Sequence, residues 1–370
     1  MTTSPGLEDL LVEELLEIGV GELHEEHAGA VSFFGPWELA AKLAKESRIA
    51  SKILFEVTSF EFHNPQHLEK ELKKVPWHNF MSNQETFKVS ANGLFSGKGI
   101  KRSFAPLKCK DIICDHFRER GQERPSVDTR SPDIQIDLYF DPDKLRVFLT
   151  LHGRPLHNRG YRQDAGLAPL RENKAAALLR FAGFDPSKDT LVDPFCGSGT
   201  IVIEAARMAL GIHNNISFSK ALLKHKIWQC WDEALKSCVV SGPKNSKFRA
   251  IAGEINDKQI FAAEANAKRA GVQDAIVIEK LSALSWKEGS LANKIIVCNP
   301  PHGDRVFTQT KAENLLKEFA RQLKFKHAPC RLALALSDDE LYKSVGFKAT
   351  RKRKIGGGTQ ALGFWYYDIY

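Results

Sequence analysis

The stretch TLVDPFCGSGT at residues 190–200, followed by IVIEAARMAL, restricts the possible folds more than any other part of the chain. A short apolar run passes into a turn holding Gly197 and Gly199, and an apolar-periodic helix starts near Thr200. Glycines in such a turn admit positive φ and let a ligand come close to the backbone. In doubly wound sheets, ligands bind beyond the carboxyl ends of the strands. No Gly-Lys-Ser/Thr follows, so this is not the phosphate loop of NTPases, and the spacing is not G-x-G-x-x-G either. Downstream, strand patterns alternate with helical ones, which predicts βαβ units and a central, mostly parallel sheet in an α/β domain.

Charge narrows the ligand. Asp193, at the end of the apolar run, would repel a pyrophosphate but suits a cofactor carrying a cationic amino-acid part. About fifty residues later RAIAGEI (249–255) reads as a second strand ending in Glu254, the natural partner for ribose hydroxyls. An acid after the first strand and another after the second is what an S-adenosylmethionine site needs.

The run IIVCNPPHGDR (295–305) ends a fourth apolar strand on Asn299, Pro300 and Pro301. Proline removes a donor and fixes φ, so the pair ends the strand in a rigid, extended corner. That corner presents the Asn299 side-chain oxygen and a backbone carbonyl, both acceptors, to one planar exocyclic amine. Positioning of that kind carries catalysis without a strong base, and His302 then supplies a plane on which an extruded base stacks.

At 370 residues the chain suggests two or three domains. The expected division is a small α/β piece at 1–55, a second α+β module at 56–155 and the sheet domain at 156–370. The segment HEEH at 24–27 has the spacing of one helix face and reads as a solvated helix. Net charge is +8, unevenly spread: residues 1–56 carry 4 Lys/Arg against 11 Asp/Glu, and residues 161–370 carry 32 against 21. A polyanionic partner fits the basic region. Seven scattered cysteines without a C-x-x-C pair argue for reduced thiols and against a metal site. No apolar run reaches the ~18 residues that a membrane span needs, and the acidic amphipathic N-terminus is unlike a signal peptide, so a cytoplasmic address is expected.

DPFCGSGT, GEIND and NPPHGDR together resemble the class I S-adenosylmethionine-dependent amino-methyltransferases with an N/D-P-P motif. GRPLHNRGYR (153–162) through APLRENKAAA (168–177) is similar to the segment preceding the catalytic domain in THUMP-domain RNA methyltransferases. KCKDIICD (108–115), RPSVD (124–128) and PDIQI (132–136) resemble the THUMP module of bacterial 23S rRNA guanine-N2 methyltransferases. The resemblance covers nearly the whole chain. It implies a Rossmann-like domain with a mostly parallel seven-stranded sheet behind a ferredoxin-like/THUMP module, acting on ribosomal RNA. By position, it also implies cofactor binding by Asp193, Phe195, Gly197, Gly199, Thr200 and Glu254, with Leu170 and Asn173 nearby. Asn299, Pro300 and Pro301 hold the amine. Two positions depart from the family pattern: His302 replaces the usual aromatic residue, and Lys280 or Ser282 stands where an acid usually approaches the adenine.

FSGKGIKRSFAPLKCK (95–110) has five cations and no acid, with phenylalanines interleaved. Lys98, Lys101, Arg102, Lys108 and Lys110 are therefore candidate RNA phosphate contacts. KSVGFKATRKRK (343–354) is either a second clamp or an exposed terminal hairpin. Two alternatives stay open: adenine-N6 methylation of RNA or DNA, since the acceptors fit any exocyclic amine, and a non-catalytic RNA-binding or ribosome-assembly role.

Overall fold

The computed structural model describes residues 1–93, 103–141, 144–163, 170–301, 308–336, 341–356 and 362–370. The N-terminal piece holds α1 (Glu8–Ile18), β1 (Leu23–His27), β2 (Ala30–Phe33) and α2 (Trp37–Glu46). Leucines at helical spacing explain α1, whose Leu11 and Leu15 are fully buried. HEEH is a strand, contrary to the helical expectation. Gly29, at φ +77°, turns the chain back, and His27 pairs with Ala30 in an antiparallel hairpin. Pairing with a neighbouring strand overrides the weak helical spacing there.

The second module contains β3 (Leu54–Glu61), α3 (Pro65–Lys73), β4 (Phe87–Gly93), α4 (Phe104–Glu119), β5 (Ile134–Phe140) and β6 (Lys144–Thr150). Its four strands lie in the order β3-β6-β5-β4, with β5 and β6 forming the antiparallel hairpin that the sequence Asp141-Pro142-Asp143 between them predicts, and β4 parallel to β5. Ile136, Leu138, Leu145, Val147 and Leu149 are wholly buried. Phe55, Tyr139 and Phe148 instead line a cavity of about 930 Å³ shared with the N-terminal hairpin.

The remainder holds α5 (Glu172–Phe181), β7 (Leu191–Asp193), α6 (Thr200–Ala209), α7 (Lys226–Ser237), β8 (Ala250–Glu254), α8 (Asp257–Arg269), β9 (Ile276–Lys280), β10 (Ile295–Cys298), α9 (Gln309–Lys326), β11 (Cys330–Leu336), β12 (Arg351–Ile355) and β13 (Leu362–Ile369). The strands build one seven-stranded sheet in the order β12-β13-β11-β10-β7-β8-β9. Every pairing from β11 to β9 is parallel, and β13 runs antiparallel to both β11 and β12. The order reverses direction at β7, and that topological switch point is where such sheets open a crevice.

The N-terminal piece clasps this domain. Asn214 donates to the carbonyls of Ala44 and Ser47, and Arg48 donates to those of Arg207 and Ile212 beside the end of α6. Gly356 donates to Pro5, and Arg353 pairs with Asp9 and the Gly6 carbonyl. Arg351 lies over the ring of Tyr366. Residues 351–355 are thus a hairpin strand, with Arg351 and Arg353 engaged within the chain.

Candidate active site

The switch point brings the expected residues to one sheet edge. Ile295 and Ile296 of β10 pair with Leu191 and Val192 of β7, and Asp193 pairs with Ala252 of β8. Neighbouring strands lie about 4.8 Å apart, so the ends carrying Asp193, Glu254 and Asn299 converge. Asp193 is buried, and its Oδ1 accepts the Phe195 N–H at 3.0 Å. Burial, opposed by that hydrogen bond and assisted by the nearby Glu254 carboxylate, pushes the Asp193 carboxyl up to about 8. A buried acid held in this way is poised for a cationic ligand group.

The turn between β7 and α6 is pinned at both ends. Cys196 donates to the Gly253 carbonyl at 3.1 Å, and Gly199 donates to the Cys196 carbonyl at 2.9 Å. Gly197 and Gly199 take φ +53° and +86°. A Cβ on Gly197 would meet nothing within 4 Å, which leaves an open cradle there, whereas one on Gly199 would come within 3.2 Å of Ala263 Cβ. Thr200 is buried at the first turn of α6. Glu254 reaches across: its Oε2 accepts from Gly197 N–H at 2.9 Å, and its Oε1 accepts from Ile255 and Asn256 N–H. A carboxylate has about four lone-pair sites, so these three bonds leave room for a further donor. Open cradle, buried acid and reaching carboxylate fit a ligand with an ammonium, a ribose and a sulfonium.

Other expected residues have different surroundings. The Phe195 ring packs edge-on against Phe319 of α9, 5.2 Å between centroids, so its backbone rather than its ring faces the turn. The Leu170 side chain is buried, and its carbonyl accepts from Arg162. Asn173 is buried with its amide donating to the Ile49 carbonyl and Ser51 Oγ, a contact with the N-terminal segment, while its Oδ1 has no partner among the described residues. Ser282 Oγ accepts from Leu284 N–H, closing a local turn. Lys280, opposite Glu254 in the β8–β9 ladder, pairs with Asp257 at 2.8 Å.

Asn299 follows the buried Cys298 at the end of β10, and Pro300 is buried behind it. His302 lies outside the described residues, as do Lys98, Lys101 and Arg102. Lys108 pairs with Glu69 of α3 at 2.6 Å and Lys110 with Asp111 at 2.7 Å. Phe104 and Leu107, on the first turn of α4, are exposed. Sequence reasoning missed two residues. Ile255, directly after Glu254, is 61% exposed, an apolar surface beside that carboxylate. Trp286 lies against Gly253, where a Cβ would come within 3.0 Å of its ring, and its buried Nε1 has no partner among the described residues. An apolar residue inside the polar GEIND turn could have signalled Ile255; nothing in the sequence points to Trp286.

Among the described residues no helix is long and apolar enough to cross a membrane, and no three His, Cys, Asp or Glu side chains cluster to hold a metal ion. Comparison with known proteins adds three family matches: the RMKL-like methyltransferase domain (UPF0020) over residues 159–358, the THUMP domain over 62–150 and the RlmL ferredoxin-like domain over 1–54. Similar curated proteins include the ribosomal RNA large subunit methyltransferase K/L of Aliivibrio salmonicida, 34% identical over 96% of this chain and 51% of that relative. The protein of the same name from Shewanella sp. strain W3-18-1 is 32% identical over 99% of this chain and 52% of its own length. The chain therefore spans about half the length of these relatives. Among solved structures, a possible methylase from Clostridium difficile 630 superposes with a TM-score of 0.85 at 24% identity, covering 100% of this chain and 97% of that one. Because the first family match takes in every strand end on which the candidate residues sit, the chain belongs to the RMKL-like methyltransferase domain family.

Proposed function

We propose that this protein transfers a methyl group from S-adenosylmethionine to the exocyclic N2 amine of a guanine in 23S ribosomal RNA. The observation that carries the reading is that Asn299-Pro300-Pro301 follows the end of β10, on the strand that pairs in parallel with β7, which ends in the buried Asp193. The relatives named for large-subunit rRNA methylation support the substrate class, and the THUMP match supports an RNA partner. On this reading residues 1–55 and 56–155 form the RNA-presenting modules, and residues 156–370 the catalytic domain. Such a substrate places the protein in the cytoplasm.

When bound, S-adenosylmethionine supplies an electrophilic methyl group on sulfur. Asp193 and the backbone of the Gly197–Gly199 turn hold its amino-acid part, Glu254 receives the ribose hydroxyls, and Ile255 offers an apolar face to the adenine. Ionised Asp193 neutralises the cofactor's ammonium, which favours the bound state in a site removed from water. Asn299 Oδ1 and the Pro300 carbonyl accept the two amine hydrogens, which orients the nitrogen lone pair. Held in this way the amine needs little further activation, because positioning replaces the entropy cost of a bimolecular encounter. His302 stacks on the base, and the released proton passes to water.

The test is incubation with labelled S-adenosylmethionine and unmodified ribosomal RNA, followed by mass spectrometry of the nucleosides. N2-methylguanosine is the expected product. N6-methyladenosine would transfer the same geometry to the other base, and no methylated product alongside retained RNA binding would favour a non-catalytic role.

A further inference from the structure

The glycine turn is held from behind by a side-chain relay that the cofactor contacts do not include. Helix α8 passes close to the turn because Ala262, Ala263 and Ala267 keep its inner face small. Asn266, one turn after Ala263, is wholly buried, and its Nδ2 donates to the Ser198 carbonyl at 3.0 Å, between the two glycines. Its Oδ1 accepts from Arg269 Nη2 at 2.5 Å, and Arg269 Nε donates to the Tyr161 carbonyl at 2.7 Å. The orientation of the amide is set by chemistry: a carbonyl requires a donor and a guanidinium requires an acceptor. Tyr161 itself, in the segment that leads from the second module to the sheet domain, is buried and donates through its hydroxyl to Glu204 of α6 at 3.0 Å. Arg159 reaches the same carboxylate at 3.7 Å. The connecting segment therefore touches both helices that flank the turn.

We propose that Asn266 is a positioning residue for the cofactor turn, and that Arg269 fixes its amide against the connecting segment. The inference rests on the proposed cofactor. A carbonyl drawn toward Asn266 fixes the peptide plane between Ser198 and Gly199, and with it the direction of the Gly199 N–H and the positive φ of Gly199. Without that bond the turn samples other arrangements, and the ligand must select the competent one at a cost in affinity.

The test uses the full chain with S-adenosylhomocysteine in titration calorimetry, together with thermal unfolding without ligand. Asn266→Asp keeps an acceptor for Arg269 but removes the N–H from the Ser198 carbonyl and sets a negative charge against it. We expect its unfolding midpoint to stay within about 3 °C, while Kd rises about tenfold, the equivalent of one buried hydrogen bond. The KM for S-adenosylmethionine rises by the same factor, and kcat at saturation is retained. Arg269→Gln, which keeps Asn266 but cannot span to Tyr161, raises Kd about threefold, and it decides the matter if Asn266→Asp does not fold. Unchanged Kd in both variants overturns the inference, as does a fall in kcat alone. A parent chain without measurable affinity overturns the proposed cofactor instead.

Discussion

In the seven-stranded sheet the central strands are short and sealed: β7 has three residues and β10 four, all buried. In the four-stranded sheet β3 has eight residues, and none is fully buried. Parallel strands joined by helices are covered on both faces, so only their ends reach solvent, and there Asp193, Glu254 and Asn299 come together from positions far apart in sequence. The four-stranded sheet buries one set of side chains and turns Phe55, Tyr139 and Phe148 toward a large cavity. On the proposed function, chemistry that needs a few atoms in fixed relation lies at the strand ends of one sheet, whereas the other sheet offers a face rather than an edge.

The sharpest way to break the comparison is at β10. Asn299→Ala is expected to lower methyl transfer at least about a hundredfold, the effect of removing a preorganised polar contact. Affinity for S-adenosylhomocysteine should stay within about twofold if Asn299 serves only the amine. A proportional loss of affinity would show that the strand ends do not divide their tasks.

Asp193 gives the site in the seven-stranded sheet a pH signature. With its carboxyl pushed up to about 8, the ligand-free protein holds a proton that a cationic ligand must displace. Affinity for S-adenosylhomocysteine should therefore rise with pH by up to about tenfold per unit below pH 8 and level off above it. Asp193→Asn should flatten that dependence, as calorimetry at several pH values would show. For stability the sign is opposite: the folded state binds a proton that the unfolded chain has released, so this group's contribution falls as pH rises from about 4 to about 8.

A change in the four-stranded sheet should affect stability and leave cofactor binding untouched. The buried Asp137 carboxylate pairs with Lys52 at 2.9 Å and accepts from Thr150 at 2.7 Å. Lys52→Met leaves that carboxylate short of its cation and should cost about 2 kcal/mol in chemical denaturation, less than for a fully buried pair because Lys52 is partly solvated. Kd for S-adenosylhomocysteine should not change; a shift would mean that the sheets are energetically coupled. Lys108→Ala is the mildest test. Its pair with Glu69 is solvent-screened, so stability should change by less than about 0.5 kcal/mol. The slope of log affinity for RNA against log salt should change by less than about one unit, and a full unit would show that Lys108 leaves Glu69 for a phosphate.

The chain's most legible part was the one whose signals are local. DPFCGSGT carries its strand, turn and helix within a dozen residues, and Gly197 and Gly199 adopt the positive φ expected of them. The β5–β6 hairpin was equally readable, from the Asp141-Pro142-Asp143 turn between its two strands. HEEH misled because its helical spacing spans only four residues, and hairpin pairing decided the outcome. Asn173 and Lys108 were legible as residue types but not as contacts: their partners, Ile49, Ser51 and Glu69, lie far away along the chain.

What the sequence determined by itself was the order of elements, the glycine turn, the acids ending the first two strands of the sheet and the Asn-Pro-Pro corner. Each depends on backbone conformations and polarity patterns that neighbouring residues impose. The tertiary structure alone decided which of these meet, which cations are already paired within the chain, and that Asn266 and Arg269 of α8 support the turn from behind. Those outcomes depend on strand register and helix packing between distant segments, and no short stretch of sequence encodes them.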